Sequence, residues 1–417
     1  MKIISFLGTG NYQLTTYLHP FNSQKKETRF FQEALVEFYQ PEILYVLLTP
    51  TVINHPNWQD LQMCLEGKVN LQPIDDIPER NTPEDVWTIF EEVTKCFNTN
   101  DRIIFDVTHS FRSIPIVSLL AVSYLRIVKN ITIESLLYGA YEAKNSETNE
   151  TPTFDLLPVV KLLDWIAAAD RFTDTGDGKP LVSLLSSAIN PELQENNLDL
   201  KKAQNSLDNV ADKIRQVSQA LALARPTETL GASKTIEKSL DKAHESIAKY
   251  AKPFDLVKDK VLAGYGQFAL TDKNNLSESL WSQLKMISWF MERDQVMQAM
   301  TLAREWVVSL LAYRLGENDL LDEKCRKETE NALHNGNAKS KGDEPKSVSR
   351  LDECFASLSE YQQLSDIWDK LTEIRNDFAH VGMRKGAASV KSLRTRSEAI
   401  LPELQKMAET LLQSNPE

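Results

Sequence analysis

The sequence predicts an α/β domain built on a parallel sheet, followed by a helical connector and an all-α domain. Apolar, β-type runs alternate with helical patterns up to residue 158, and beyond it long helical patterns dominate. The β-type runs are apolar on both faces, which is typical of a parallel sheet that helices cover on both sides. The predicted domains span residues 1–160, 161–273 and 274–417.

Each predicted element of the first domain has its own local signal. Short apolar runs predict strands over residues 2–7, 43–48, 102–107 and 131–137. Helical spacing predicts helices over residues 30–38, 83–97 and 114–128. The second of these helices has the clearest start, because Thr82 can cap it, Pro83 suits its first position and Asp85 lies three residues past the cap.

The rest of the chain is predicted to be helical. Apolar spacing indicates helices over residues 159–169, 198–224, 235–251, 277–293, 295–315, 351–378 and 390–412. Residues 335–347 contain no large apolar side chain and predict a flexible loop between two helices. No motif assigns a role to residues 190–273, so the role of this segment stays open.

The composition excludes several classes of protein. The chain has 417 residues, 25% of them charged, and a formal net charge of −12, which argue against wholesale disorder and against a general nucleic-acid coat. No apolar run approaches the roughly 20 residues of a membrane-spanning helix, and the first residues carry no signal-peptide pattern. Four cysteines lie far apart, without the paired spacing of a zinc site or a disulfide framework: Cys64, Cys96, Cys325 and Cys354. We therefore expect a cytoplasmic protein that requires no metal and does not enter a membrane.

A glycine-rich turn follows the first predicted strand. It consists of Gly8, Thr9, Gly10, Asn11 and Tyr12. Ligands of parallel α/β sheets bind beyond the carboxyl ends of the strands, where glycines let backbone N–H groups approach a phosphate and an aromatic ring can stack on a base. The third glycine of the dinucleotide fingerprint is absent, which disfavours a nicotinamide-dependent oxidoreductase. An ordinary strand-to-loop turn is the alternative.

A second polar turn follows the strand predicted over residues 102–107. Thr108 and Ser110 can donate hydrogen bonds to phosphate or ribose oxygens, and Arg112 can bind a phosphate through two N–H groups. His109 can contact a phosphate or transfer a proton. The alternative is a helix cap by Ser110 beside a solvent-exposed arginine. If the two strands are near neighbours, both turns line one cleft that suits a nucleotide better than a metal.

A third polar group lies near the C-terminus, on a helix with an apolar face. Asn376 and His380 are four residues apart and share one side of the helix, and Arg375 is next to Asn376. An imidazole that moves a proton and a guanidinium that stabilises a charged transition state suit cleavage of a phosphodiester without a metal. A solvated helix end is the alternative. On an earlier helix, Arg304 and Glu305 are interpreted as solvated residues that could also pair with this group.

In this order the three groups resemble the CRISPR-associated type III effector ribonucleases, which join a Rossmann-like CARF sensor domain to an all-α HEPN domain. The glycine-rich turn and the run from Asp106 to Arg112 are similar to the two ligand motifs of that family. Residues 375–380 match the Arg-x4-His motif of HEPN domains. The resemblance extends over nearly the whole chain except residues 190–273.

The resemblance implies a metal-independent endoribonuclease that a cyclic oligoadenylate activates allosterically in antiviral defence. It implies a homodimer, in which one ring of adenylates lies between two CARF domains and two HEPN domains form one active site. The implied substrate is single-stranded RNA, and its 2′-hydroxyl is the nucleophile. The implied catalytic residues are Arg375, Asn376 and His380. The implied ligand-binding residues are Gly8, Thr9, Gly10, Asn11, Tyr12, Thr108, His109, Ser110 and Arg112.

Other functions are still open on the sequence alone. The sensor domain could cleave its own ligand as a ring nuclease, either alone or in addition to RNA cleavage. A non-catalytic nucleotide sensor is a further alternative, although the C-terminal half contains no helix-turn-helix pattern or basic recognition helix. The number of adenylates in the ring (four or six), the RNA sequence preference and assembly beyond a dimer also stay open.

Overall fold

The computed structural model describes residues 1–412, apart from Asp76, Asn81, residues 110–113, Asn196, Gln267, Thr271, Lys273, Lys346 and Arg384. The chain divides into two compact units, Met1–Asp164 and Trp165–Glu417. The first unit is α/β and the second is helical, which confirms the predicted fold class. Among the described residues, no helix is both long and apolar enough to cross a membrane.

The described part of the first unit contains nine strands. They are β1 (Lys2–Phe6), β2 (Thr15–Leu18), β3 (Lys25–Thr28), β4 (Ile43–Leu47), β5 (Asn70–Ile74), β6 (Arg102–Asp106), β7 (Thr132–Gly139), β8 (Glu150–Thr151) and β9 (Thr153–Asp155). Six of them form the main sheet, in the order β5-β4-β1-β6-β7-β9, and the other three form a smaller sheet in the order β3-β2-β8. The first five strands of the main sheet are parallel, and β9 is antiparallel to β7.

Helices cover both faces of the main sheet. They are α1 (Phe31–Tyr39), α2 (Pro50–Ile53), α3 (Pro56–Leu65), α4 (Pro83–Lys95) and α5 (Ile114–Val128). Successive residues of β1 point into two different hydrophobic clusters, since Ile3 packs with α1 and α3 whereas Ile4 packs with α4 and α5. The sheet is therefore buried on both faces, as its apolar strands require.

The strongest local signals were predicted correctly. The four predicted strands correspond to β1, β4, β6 and β7. Helix α4 begins with a capping box, in which the Thr82 side chain accepts from the Asp85 N–H and the Asp85 carboxylate accepts from the Thr82 N–H, each at 3.2 Å. This helix ends at Lys95, two residues before the predicted end. Strand β5 and the smaller sheet were not predicted, because their short strands are rich in polar residues.

The second unit consists of packed helices. They are α6 (Leu157–Thr175, which begins in the first unit), α7 (Lys179–Ser186), α8 (Pro191–Gln194), α9 (Leu198–Ala222), α10 (Pro226–Tyr250), α11 (Lys252–Gly266), α12 (Leu276–Glu292), α13 (Val296–Arg314), α14 (Glu323–Ser340), α15 (Asp352–Ala356), α16 (Tyr361–Ala379) and α17 (Val390–Leu412). One hydrophobic cluster joins the helices from Trp165 to Leu412, and it includes Phe254 of α11 and Trp306 of α13.

The loop predicted over residues 335–347 is wrong in its first part, because α14 continues to Ser340. Asn335 and Gly336 are buried in this helix. A Cβ atom on Gly336 would lie 2.7 Å from the Phe355 ring, so only glycine lets α14 and α15 approach this closely. The helix predicted over residues 351–378 is also divided, into α15 and α16.

Candidate ligand site and candidate catalytic site

Both polar turns of the first unit lie at one edge of the main sheet. Strands β1 and β6 are paired in parallel, so their carboxyl ends reach the same edge. The turn of residues 8–12 follows β1, and Thr108 and His109 follow β6. The rings of Tyr12 and His109 are in contact, with their centroids 4.1 Å apart. The fold thus brings the two turns together, as the sequence predicts for neighbouring strands.

A buried carboxyl group positions the second turn. The Asp106 carboxylate accepts hydrogen bonds from the Ser5 hydroxyl at 2.5 Å and from the Thr108 N–H at 2.8 Å. Complete burial raises the pKa of Asp106 to about 6, although these hydrogen bonds favour its charged form. The amide of Gln32 donates to the Ser5 hydroxyl at 2.9 Å. The Thr108 side chain also forms a hydrogen bond with the Asp106 carboxylate, and its hydroxyl oxygen accepts from the Gly139 N–H at 2.8 Å.

An asparagine that the sequence did not single out holds the glycine-rich turn. The side-chain amide of Asn57, in α3, donates to the carbonyl oxygens of Gly8 and Gly10, both at 2.9 Å. The Gly8 N–H in turn donates to the Tyr12 hydroxyl at 2.9 Å. Asn57 lies 49 residues from Gly8 in the sequence. No local pattern marks this residue, so only the fold could reveal it.

His109 is neutral at pH 7. Its exposed fraction is intermediate, but its Nε2 atom is enclosed and has no hydrogen-bond partner among the described residues. Burial lowers the pKa of His109 to about 4. The imidazole therefore offers a ligand a neutral hydrogen bond rather than a positive charge.

The other residues predicted for this site are solvent-exposed or lie outside the described residues. Thr9, Gly10 and Asn11 are exposed at the tip of the turn. Ser110 and Arg112 belong to the segment outside the described residues. Among the residues that are described, no three His, Cys, Asp or Glu side chains come together in a way that could hold a metal ion. The groups that the fold assembles here are backbone amides, a hydroxyl, an imidazole and an aromatic ring.

The candidate catalytic residues lie at the end of α16. Arg375 and His380 are exposed and Asn376 is half-buried. The Arg375 guanidinium donates to the Asn376 side-chain oxygen at 3.4 Å, and the His380 N–H donates to the Asn376 carbonyl oxygen at 3.2 Å. Among the described residues, no carboxylate forms an ion pair with Arg375. Asp377, which lies between Arg375 and His380 in the sequence, is buried, and its carboxylate accepts a hydrogen bond from the Ala388 N–H at 3.0 Å.

A polar cluster packs against α16 two turns before Arg375. The Arg304 guanidinium lies over the ring of Trp368, 4.6 Å from its centroid, and forms ion pairs with Glu330 and Glu305. The Trp368 ring N–H donates to His334 at 3.3 Å. A hydrogen bond with His334, together with the Arg304 pair, lowers the pKa of Glu330 to about 2 against the effect of burial. Of the two alternatives for Arg304 and Glu305, solvation holds for Glu305, which is exposed, and is wrong for Arg304, which packs on the helix that carries the candidate catalytic residues.

Comparison with known proteins gives matches to both units. Residues 2–143 match the family model of the CARF domain of the CRISPR system endoribonuclease Csx1. Residues 161–267 match the model of the second domain of the CRISPR-associated protein MJ1674. MJ1674 of Methanocaldococcus jannaschii is 27% identical over 146 residues, which are 34% of this chain and 22% of that protein. This chain thus matches about a fifth of the length of that relative.

A solved structure of Enterococcus italicus Csm6 bound to cyclic hexa-2′-fluoro-hexa-dAMP also aligns. The alignment covers 100% of this chain and 95% of that chain, with 11% identity and a TM-score of 0.46. A likeness at this level supports no argument about fold or function.

The fold and the family-model matches agree on the first unit. It has a Rossmann-like α/β architecture, and residues 2–143 of it match a CARF domain model. Both matched models describe CRISPR-associated proteins, in agreement with the resemblance to CARF effectors that the sequence predicts.

Proposed function

We propose that this protein is a single-stranded RNA endonuclease that a cyclic oligoadenylate activates in type III CRISPR antiviral defence. The observation that carries the ligand part is the meeting of the two polar turns, in which Tyr12 contacts His109 at the carboxyl edge of β1 and β6. Backbone amides and a hydroxyl at such an edge suit a phosphate, and an aromatic ring suits an adenine base. The match of residues 2–143 to a CARF model supports the same assignment.

The proposed ligand site needs two copies of the chain. A ring of adenylates has rotational symmetry, and a two-fold axis between two identical clefts would match it. Thr9, Asn11, Ser110 and Arg112 complete each cleft in this proposal. Arg112 supplies the charge for a phosphate, since His109 is neutral at pH 7.

The proposed RNA cleavage uses the exposed residues at the end of α16. His380 transfers the proton of the attacking RNA 2′-hydroxyl or of the leaving group, and Arg375 stabilises the charge that develops on the phosphate. Asn376 orients Arg375 through the hydrogen bond at 3.4 Å. Two copies of this set supply both an acid and a base, so the reaction requires no metal.

The experiment is cleavage of a labelled single-stranded RNA in EDTA, with and without cyclic tetra-adenylate or cyclic hexa-adenylate. The His380→Ala variant should lose at least a hundredfold in rate, the usual contribution of a general acid or base, while it binds the ring as tightly as the wild type. The His244→Ala variant is the matched control, because His244 is an exposed histidine on α10.

Each outcome is decisive for one part of the proposal. If the His380→Ala variant cleaves RNA at the wild-type rate, the end of α16 is not the catalytic site. Loss of the ring without RNA cleavage, in both the wild type and the variant, would move the chemistry to the CARF domain and favour a ring nuclease.

A further inference from the structure

The Tyr12 side chain already uses one backbone N–H of the glycine-rich turn. Its hydroxyl accepts a hydrogen bond from the Gly8 N–H at 2.9 Å, and Gly8 lies two residues past the carboxyl end of β1. Burial raises the pKa of Tyr12 to about 12, so the hydroxyl is neutral at physiological pH. A backbone amide that faces the ligand edge is therefore already satisfied within the protein.

The turn is shaped to hold this side chain. A Cβ atom on Gly8 would lie 3.1 Å from the Tyr12 hydroxyl, and one on Gly10 would lie 3.2 Å from the Tyr12 ring. The two hydrogen bonds from Asn57 fix the carbonyl groups of both glycines. The edge of the Phe30 ring also packs against Tyr12, with centroids 5.7 Å apart.

The ring of Tyr12 lies against a histidine with an unused nitrogen. Its centroid is 4.1 Å from that of His109, and the enclosed Nε2 atom of His109 has no partner among the described residues. Buried polar atoms in proteins are nearly always hydrogen-bonded, so this imidazole nitrogen has a hydrogen bond to offer at the edge of the cleft.

We propose that Tyr12 is an internal competitor of the ligand. When the ligand binds, it displaces the Tyr12 hydroxyl from the Gly8 N–H and reaches His109. The inference rests on the proposed function and adds its regulation. A phosphate of the cyclic oligoadenylate accepts the Gly8 N–H in place of Tyr12. A hydroxyl or amino group of the same ligand pairs with His109 Nε2, because a neutral imidazole suits a neutral group better than a phosphate. The wild-type affinity is reduced by the hydrogen bond that must first be broken.

The test is the affinity of the Tyr12→Phe variant for cyclic tetra-adenylate and cyclic hexa-adenylate, by isothermal titration calorimetry on the full chain. The ring that could stack on adenine is retained and only the competing hydroxyl is removed. The dissociation constant should fall about fivefold, which corresponds to one neutral hydrogen bond. The ring concentration that gives half-maximal RNA cleavage should fall by the same factor. Tyr313→Phe, in α13 of the second unit, is the matched control and should leave both values unchanged.

The outcomes separate this inference from the function on which it rests. If the wild type binds a ring and Tyr12→Phe binds it equally or more weakly, Tyr12 contacts the ligand or is a bystander, and the competitor model is overturned. If the wild type binds neither ring, the proposed function is overturned and this inference with it. Circular dichroism of the variant checks that the fold is unchanged, as expected for the loss of one oxygen atom.

Discussion

Replacing Asp106 by asparagine should remove a pH dependence of stability that the burial of this carboxyl creates. Asp106 is completely buried, between the Ser5 hydroxyl and the Thr108 N–H. Asparagine has the same shape and stays neutral. Its oxygen can accept the Thr108 N–H, and its amide can donate to the Ser5 hydroxyl, which has a second lone pair beside the one that Gln32 uses.

The sign of the effect follows from the direction of the pKa shift. Burial raises the pKa of Asp106 from 3.8 to about 6, so the folded state holds the proton more tightly than the unfolded chain does. The stabilising contribution is complete below pH 4 and is lost as the pH rises through 6. Two pKa units correspond to about 3 kcal/mol, and this is the gain in stability that Asp106→Asn should show over the wild type between pH 4 and pH 7.

The assay is thermal unfolding of the full chain, followed by circular dichroism between pH 4 and pH 7.5. A difference of about 3 kcal/mol in a unit of this size corresponds to roughly 6–12 °C in melting temperature. Asp101→Asn is the matched control with the opposite sign. Burial alone would raise the pKa of Asp101, but hydrogen bonds from Lys2 and from the Asn98 N–H outweigh burial, so the net pKa is lowered. The Asp101→Asn variant should therefore lose more stability at pH 7 than at pH 4. Parallel pH profiles for the wild type and Asp106→Asn would refute the reasoning.

Two further predictions concern residues that shape the candidate sites. Asn57→Asp places a carboxylate against the carbonyl oxygens of Gly8 and Gly10. The affinity for the cyclic oligoadenylate, measured by calorimetry, should therefore fall about tenfold or more. Asn318→Asp, at an exposed position, is the control and should leave the affinity unchanged. Val381 follows His380 with a φ of 52°, in a turn where Gly382 also has positive φ and the Met383 N–H donates to the His380 carbonyl. Asparagine tolerates this conformation and the Val381 side chain is 81% exposed, so Val381→Asn should stabilise the second unit by about 1 kcal/mol and raise its melting temperature. An unchanged or lower melting temperature would contradict the assignment of strain to Val381.

The parts of the fold that could be predicted are those that a local sequence pattern marks. The apolar strands β1, β4, β6 and β7 are recognisable because both of their faces are buried, and the capping box of α4 because its residues have fixed spacing. The meeting of the two polar turns follows once β1 and β6 are neighbours, since parallel strands end at the same edge. The binding and catalytic roles of these residues stay predictions that the experiments above test.

The parts that could not be predicted depend on contacts between distant segments. Strand β3 has the sequence Lys-Lys-Glu-Thr and gives no strand signal, because its pairing with β2 comes from the fold and not from an apolar face. Asn57 carries no motif, since one amide reaches two carbonyl groups 47 and 49 residues away. Arg304 has the local pattern of a solvated residue, and only the approach of Trp368 and Glu330 changes its surroundings.

The error at residues 335–347 has a consequence for the candidate catalytic helix. The absence of large side chains in residues 335–347 predicts a loop that does not pack. In α14, however, small residues allow close packing, because Gly336 leaves room for Phe355 and for the Ser365 hydroxyl of α16. Helix α14 also carries Glu330 and His334, which hold Arg304 and Trp368 in place. The small residues of α14 therefore allow close contact with the first half of α16, the helix at whose end Arg375 and His380 lie.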